Sequence, residues 1–174
     1  MWQPGKTPDM EFEAVQGDIA EQSADALVNA ANTSLRMGTG VAGALKAAAG
    51  EGLNEEAISK GPVDLGGAAV TDAYALDAEY VIHAAAMEPG GRATRESIRD
   101  ATHNALAAAD ERGCESLVLP AIGTGVAGFS AEEGVRIIAK EIAAFEPEHL
   151  EDVRFIGYSD DAYETISQVA DEVR

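Results

Sequence analysis

Apolar positions in this chain fall into short runs. Longer stretches separate them, in which apolar residues recur every three or four positions. That is the pattern of strands alternating with amphipathic helices. Residues 11–16 (EFEAVQ) alternate and meet the turn Gly17-Asp18. Residues 26–28 form a brief apolar run, and 68–74 (AAVTDAY), 80–85 (YVIHAA), 116–119 and 153–158 read as further strands. Helix formers fill 41–49 (VAGALKAAA), which stops at Gly50, and 53–60, which stops at Gly61-Pro62. The longest helix spans 94–112, with Ile98, Ala101, Ala105, Leu106 and Ala109 on one face and Gly113 as its stop. Two more helices are expected over 131–145, with Val135, Ile138, Ala139 and Ile142 inward, and over 162–173. This order predicts an α/β fold: a three-layer α/β/α domain around a mixed, mostly parallel central sheet. A length of 174 residues suits one domain over 1–174. Pro89-Gly90-Gly91 reads as a loop rather than a linker, and residues 1–9 as a flexible N-terminal arm.

Charge narrows the partners. The chain carries 31 acidic and 12 basic residues, a net charge of -19 and a pI near 4.3. The four lysines and eight arginines are scattered. Such a surface repels nucleic-acid phosphates and anionic lipids, so neither is expected as a partner. The acids are spread along the chain, Lys is scarce and Ala abundant, as in proteins adapted to molar salt. A hydrophobic share of 46% excludes a disordered acidic chain. No apolar run approaches the ~18 residues of a membrane span, and no signal-like stretch follows Met1. A single cysteine, Cys114, excludes an internal disulfide and a thiolate-cluster zinc site. The expectation is a cytoplasmic protein with no metal and no resident cofactor.

One hexapeptide occurs twice. GTGVAG occupies 38–43 and again 123–128, each time between a strand candidate and a helix. Glycine permits close approach, and successive amides at a helix N-terminus cradle phosphate. Each copy fits the dinucleotide fingerprint G-x-G-x-x-G. A Rossmann domain, however, needs a strand leading directly into the loop. Nine residues (29–37) intervene at the first copy. No GxxxxGK[ST] is present, which excludes a P-loop nucleotidase. Two cradles in one small domain point instead to two loops gripping one diphosphate.

The run from Gly17 to Gly50, GDIAEQSADALVNAANTSLRMGTGVAGALKAAAG, resembles the macro domain family. So do Tyr80-Val81-Ile82-His83 and Pro120-Ala121-Ile122-Gly123-Thr124-Gly125-Val126, and the resemblance extends over nearly the whole chain. It implies a three-layer fold that binds ADP-ribose. Some members remove ADP-ribose from proteins or deacetylate O-acetyl-ADP-ribose, while others only bind. The expected partner is therefore ADP-ribose or an ADP-ribosylated protein. On this resemblance Asp18 accepts from the adenine amino group and Ile19 flanks the ring. Asn32, the second Asn of NAAN, contacts the distal ribose and is the candidate catalytic residue, its amide offering donor and acceptor. Gly38, Gly40, Val41 and Ala42 form the first diphosphate loop. Gly123, Thr124, Gly125, Val126 and Ala127 form the second, with the Thr124 hydroxyl beside the amides. Tyr158, at the end of the last strand, packs on adenine. Asn29 is expected to hold loop backbone.

Two positions depart from the family's hydrolase pattern. One hydrolase branch has an Asp where Ala42 stands, and Ala can neither activate water nor orient ribose. Many members carry an aromatic where Ala127 stands, although Phe129 is near. Nor is another catalytic group evident. His83 reads as a satisfied core histidine, His103 and His149 as surface residues, and Cys114 lacks a nucleophile's surroundings. Glu51, Glu55 and Glu56 read as a solvated face. The ligand's own phosphate could orient water while Asn32 positions the ribose. Two readings stay open: an ADP-ribosyl or O-acetyl-ADP-ribose esterase, and a non-catalytic reader. Residues 26–50 hold no Asp or Glu and 116–131 no charge at all, so both loops lie in stretches clear of acids.

Overall fold

The computed structural model describes residues 10–124 and 130–174. The N-terminal arm expected over 1–9 and the loop residues Gly125, Val126, Ala127 and Phe129 lie outside the described residues. In chain order the strands are β1 (Glu11–Gln16), β2 (Ala26–Asn32), β3 (Ala68–Asp72), β4 (Tyr80–Met87), β5 (Ser116–Leu119) and β6 (Asp152–Gly157). The helices are α1 (Gly40–Ala49), α2 (Glu51–Lys60), α3 (Arg95–Glu111), α4 (Ala131–Ala144) and α5 (Asp160–Val173). A single 3-10 turn, Ile19–Glu21, follows β1.

The strands form one sheet in the order β1-β6-β5-β2-β4-β3. All neighbours run parallel except β3, which is antiparallel to β4, so the expected mixed, mostly parallel sheet is present. Side chains alternate across it. Ala26, Val28, Ile82, Leu117, Leu119 and Phe155 face the layer of α3, α4 and α5, where Ile98, Leu106, Ile138, Ile142 and Ile166 complete one core. Leu27, Val81, Val118 and Ile156 face the other layer, where the core is closed by Ile19, Leu45 and Leu53. Three layers result.

Helix boundaries follow the sequence signals. Gly50 has φ +98 and ends α1, while Thr94 and Ser97 form a reciprocal capping box that opens α3. Departures are local. The 3-10 turn was not expected, β3 ends at Asp72 rather than Tyr74, and α2 begins directly after Gly50. The largest departure is in β2. It continues past Val28 through Asn32, so the NAAN segment is strand, not loop. Its pairing with β4 explains this. Asn29 lies opposite His83, whose ring nitrogen gives the buried Asn29 amide nitrogen a partner inside the sheet.

Candidate functional site

The order of the strands fixes where a ligand can enter. β2 and β5 are parallel neighbours. From the end of β2 the chain passes to α1 and α2 on one face. From the end of β5 it passes to α4 on the other. Connections that diverge in this way leave a crevice beyond the carboxyl ends of the strands. The first GTGVAG lies on one side of it, and Gly123 and Thr124, the described residues of the second, follow β5 on the other.

The first loop is tightly held. Thr33 N donates to Met87 O at 3.0 Å, Val63 N to Thr33 O at 2.9 Å, and Met37 N to Asn54 Oδ1 at 2.9 Å. Leu35 and Met37 are buried beneath it, with Leu35 at φ +61. A Cβ on Gly43 would stand 2.8 Å from Gly38 O, so only glycine lets the first turn of α1 close under the loop. Gly38 and Gly40 are exposed, Val41 half-buried. Thr39 caps α1 without a side-chain bond, and no described group accepts from the amides of Gly40, Val41 and Ala42. Three aligned N–H groups at a helix N-terminus can hold an anion. Ala42 itself is buried, in the same cluster as Ile19 and Leu45. Its side chain therefore faces the core and brings no polar group to the crevice.

Asn32 ends β2 at an irregularity. Ala31 lies opposite Ala85 but Asn32 lies opposite Met87, so Ala86 is an extra residue on β4. A bulge of this kind re-aims the neighbouring side chain. Asn32 Oδ1 accepts from Ser34 N at 3.0 Å and Ser34 Oγ at 2.6 Å. A backbone N–H needs an acceptor, so the oxygen must face Ser34, and both its lone pairs are used. Asn32 therefore offers the outside only the donor Nδ2, not a donor and an acceptor as expected. Asn29, expected to hold loop backbone, is instead 1% exposed within the sheet. Its Nδ2 lies 3.0 Å from His83 Nδ1 and its Oδ1 has no partner. His83 is the satisfied core histidine expected: its Nε2 lies 3.0 Å from Thr71 Oγ1, and burial pushes its pKa down to about 4.

At the second loop, Gly123 has φ +75, and a Cβ there would meet Ala93 Cβ at 2.8 Å and Ile98 Cγ1 at 2.9 Å. The loop thus rests directly on the start of α3. The Thr124 hydroxyl donates to Ala121 O at 3.0 Å, so its proton tightens the loop and only its lone pairs face a ligand. Gly125, Val126 and Ala127 lie outside the described residues.

Gly17 N donates to Gly157 O at 3.1 Å, which joins the ends of β1 and β6 and sets Asp18 beside Tyr158. Asp18 Oδ1 caps the 3-10 turn by accepting from Ala20 N at 2.9 Å, and Oδ2 has no described partner. One oxygen orients the carboxylate and the other is available to an amine. Ile19 is buried against α1 and β6, so it forms part of the floor. Tyr158 lies one residue beyond β6 and is 78% exposed. A large aromatic so placed can stack on a planar ring.

Three polar anchors carry no local sequence signal: Asn54, the Asn29–His83 pair, and Glu56. Far from a merely solvated face, Glu56 accepts from Asp72 N and Tyr74 Oη and pairs with Lys60. Ser34, two residues after Asn32, is the one signal that could have revealed the turn fixing the Asn32 amide. Cys114 is buried, and its thiol is pushed up to about 11 chiefly by burial, which makes it inert. Among the described residues no group of three or more His, Cys, Asp and Glu could hold a metal ion, and no helix is long and apolar enough to cross a membrane.

The Macro domain family model matches residues 28–138, and the chain belongs to this family. It superposes on an Oceanobacillus iheyensis macrodomain with ADP at a TM-score of 0.84 and 26% identity, covering 94% of this chain and 92% of that one. A Trypanosoma brucei macrodomain in complex with ADP-ribose gives 0.81 and 28%, covering 90% and 68%. By sequence, an uncharacterized protein of Mycobacterium bovis is 42% identical over 91% of this chain, and one of Aquifex aeolicus 38% identical over 92%. The chain spans 44% of the mycobacterial relative's length and 98% of the Aquifex one.

Proposed function

We propose that the chain binds ADP-ribose across the β2/β5 crevice and hydrolyses esters of its distal ribose. The observation that carries the binding reading is the unsatisfied first turn of α1 at that crevice. It receives the diphosphate in a stretch of chain free of acids. Asp18 Oδ2 takes the adenine amine, Tyr158 stacks on the ring, and Asn32 Nδ2 donates to a hydroxyl of the distal ribose. Gly123 and Thr124, which follow β5, border the diphosphate from the other side. The solved relatives with ADP and ADP-ribose support this reading. Calorimetric titration with ADP-ribose in concentrated KCl tests it, and no heat from folded protein sinks it.

For hydrolysis, water adds to the ester carbonyl and the ribose hydroxyl departs, leaving a free carboxylic acid. Ala42 supplies no base, so a phosphate oxygen of the ligand holds the water while Asn32 fixes the ribose. The buried Ala42 also favours a second reading, a module that binds ADP-ribose without turnover. Incubation with O-acetyl-ADP-ribose and with a mono-ADP-ribosylated protein separates the two. Turnover lost in Asn32→Ala supports the esterase, and no turnover by the folded wild type leaves the reader. The substrate protein, and adaptation of the acidic surface to salt inside the cytoplasm, belong to the same proposal.

A further inference from the structure

We propose that the crevice takes ADP-ribose still attached to an acidic stretch of polypeptide, and that Arg36 and Arg92 hold the carboxylates of that stretch at its mouth. The inference rests on the ADP-ribose reading above and adds the class of carrier.

Most described arginines already have partners. Arg95, Arg99, Arg136, Arg154 and Arg174 each meet a carboxylate, and Arg112 lies over the Tyr80 ring. Among the described arginines only Arg36 and Arg92 have guanidinium groups with no ion pair, hydrogen bond or ring contact. In a chain of net charge -19, two unneutralised guanidiniums need a reason.

The backbone places both beyond the carboxyl ends of the parallel neighbours β2 and β4. Arg36 hangs from the turn that begins at the Asn32 amide: Asn32 Oδ1 accepts from Ser34, and Ser34 Oγ accepts from Arg36 N at 3.2 Å. Its neighbours Leu35 and Met37 are buried, so Arg36 is the residue of that turn left facing outward. Arg92 follows β4, whose end is stitched to that of β2 by the Thr33–Met87 hydrogen bond. The next residue, Ala93, is buried against Gly123 of the second loop. Arg36 thus lies in the turn that follows the proposed distal-ribose residue, and Arg92 lies one residue before the Ala93 that packs on Gly123. Glu88, the acid of the Arg92 turn, forms no ion pair among the described residues.

The chemistry selects the carrier. A guanidinium matches a carboxylate with two parallel hydrogen bonds. Two of them can hold two carboxylates, far fewer contacts than a nucleic-acid backbone uses. An acidic polypeptide would otherwise be repelled by this surface, and the two arginines offset that repulsion where the carrier must approach.

The test uses the wild type and the double variant Arg36→Gln/Arg92→Gln. Ligands are free ADP-ribose and peptides joined to ADP-ribose at the distal ribose through an amide that resists turnover. One peptide has Asp and Glu flanks, the other Ser and Gly. Calorimetry should give the wild type about tenfold tighter binding of the acidic conjugate than of the neutral one, with the gap shrinking as KCl rises. In the double variant the gap should vanish while free ADP-ribose affinity stays within about twofold and the melting temperature holds. Equal wild-type affinity for both conjugates, or a gap that survives in the variant, overturns the proposal. So does tighter binding of an ADP-ribosylated oligonucleotide than of the acidic peptide. Failure of the folded wild type to bind free ADP-ribose is a separate result and overturns the ADP-ribose reading itself.

Discussion

The Asn29 amide nitrogen lies 3.0 Å from His83 Nδ1, directly across the β2–β4 pairing and fully inside the sheet. With Nδ1 accepting, the ring proton sits on Nε2 and donates to Thr71 Oγ1, whose own proton goes to Asp72 O. The neutral ring is satisfied and a charged ring would not be. Burial accordingly pushes the His83 pKa down to about 4, below its ordinary 6.5. The sign follows. The unfolded chain takes up a proton first as pH falls, so stability is full above about pH 6.5 and is lost on the way down to about 4. The loss from this one group amounts to about 3 kcal/mol. Urea unfolding across that window should show a steeper decline for the wild type than for His83→Gln. Parallel declines would mean that the ring is not neutral in the fold.

Asp110 anchors the far end of α3. Its carboxylate accepts from Glu148 N, His149 N and Leu150 N at 2.7 to 3.1 Å. Burial raises its pKa, but the three backbone donors outweigh burial and hold it below the usual carboxylate value. Its contribution is present above the unfolded pKa and is lost as acid protonates the folded group. Asp110→Ala should cost about 3 kcal/mol in denaturant unfolding, since three N–H groups lose their acceptor. Asp110→Asn keeps one acceptor oxygen and should lose about half as much.

Those two anchors show what a reader of the chain can and cannot see. Helix ends at Gly50, Gly61 and Gly113 and the start at Thr94 were legible because each is a local signal. The continuation of β2 through Asn29 was not. Its warrant is His83, 54 residues away. The doubled GTGVAG suggested two anion cradles, but that the first loop and the end of β5 border one crevice depends on β5 lying beside β2, which only the strand order reveals. The outward donor of Asn32 likewise depends on Ser34 holding the amide oxygen.

Tyr74, at φ +55, donates to Glu56 Oε1 at 2.7 Å, and that bond pushes its pKa up to about 12. Glu56 also accepts from Asp72 N, while Lys60 donates to Val70 O, so the two side chains cover the outer edge of β3. In Glu56→Ala the Tyr74 pKa should fall toward its ordinary 10, seen by ultraviolet titration as the difference from a Tyr74→Phe control. The same variant should aggregate more readily on partial unfolding, as the edge is uncovered. An unshifted tyrosine would show that the bond does not form in solution.

Ala42 is where a carboxylate would change the proposed chemistry. Ala42→Asp adds an acid in the first turn of α1, where the helix dipole favours it. The native methyl packs in the core, so the longer carboxylate must turn out of it to reach the crevice. If it does so and turnover is limited by poorly held water, hydrolysis of O-acetyl-ADP-ribose should rise by about tenfold to a hundredfold. ADP-ribose affinity should change by no more than a few-fold. A cost of about 1–2 kcal/mol in stability is expected, because Ala42 is buried. Unchanged turnover would place the limit elsewhere than in the first loop.

Salt gives the last test, because backbone amides and charged side chains respond to it differently. The proposed cradle presents the N–H groups of Gly40, Val41 and Ala42 to the diphosphate, within a surrounding field set by a net charge of -19. Screening weakens that repulsion and leaves the short contacts with the amides nearly intact. Affinity for free ADP-ribose should therefore hold or rise as KCl increases, provided circular dichroism shows the protein folded at every concentration. An affinity that falls steeply with KCl would mean that side-chain cations, Arg36 or Lys46, hold the diphosphate rather than the first turn of α1.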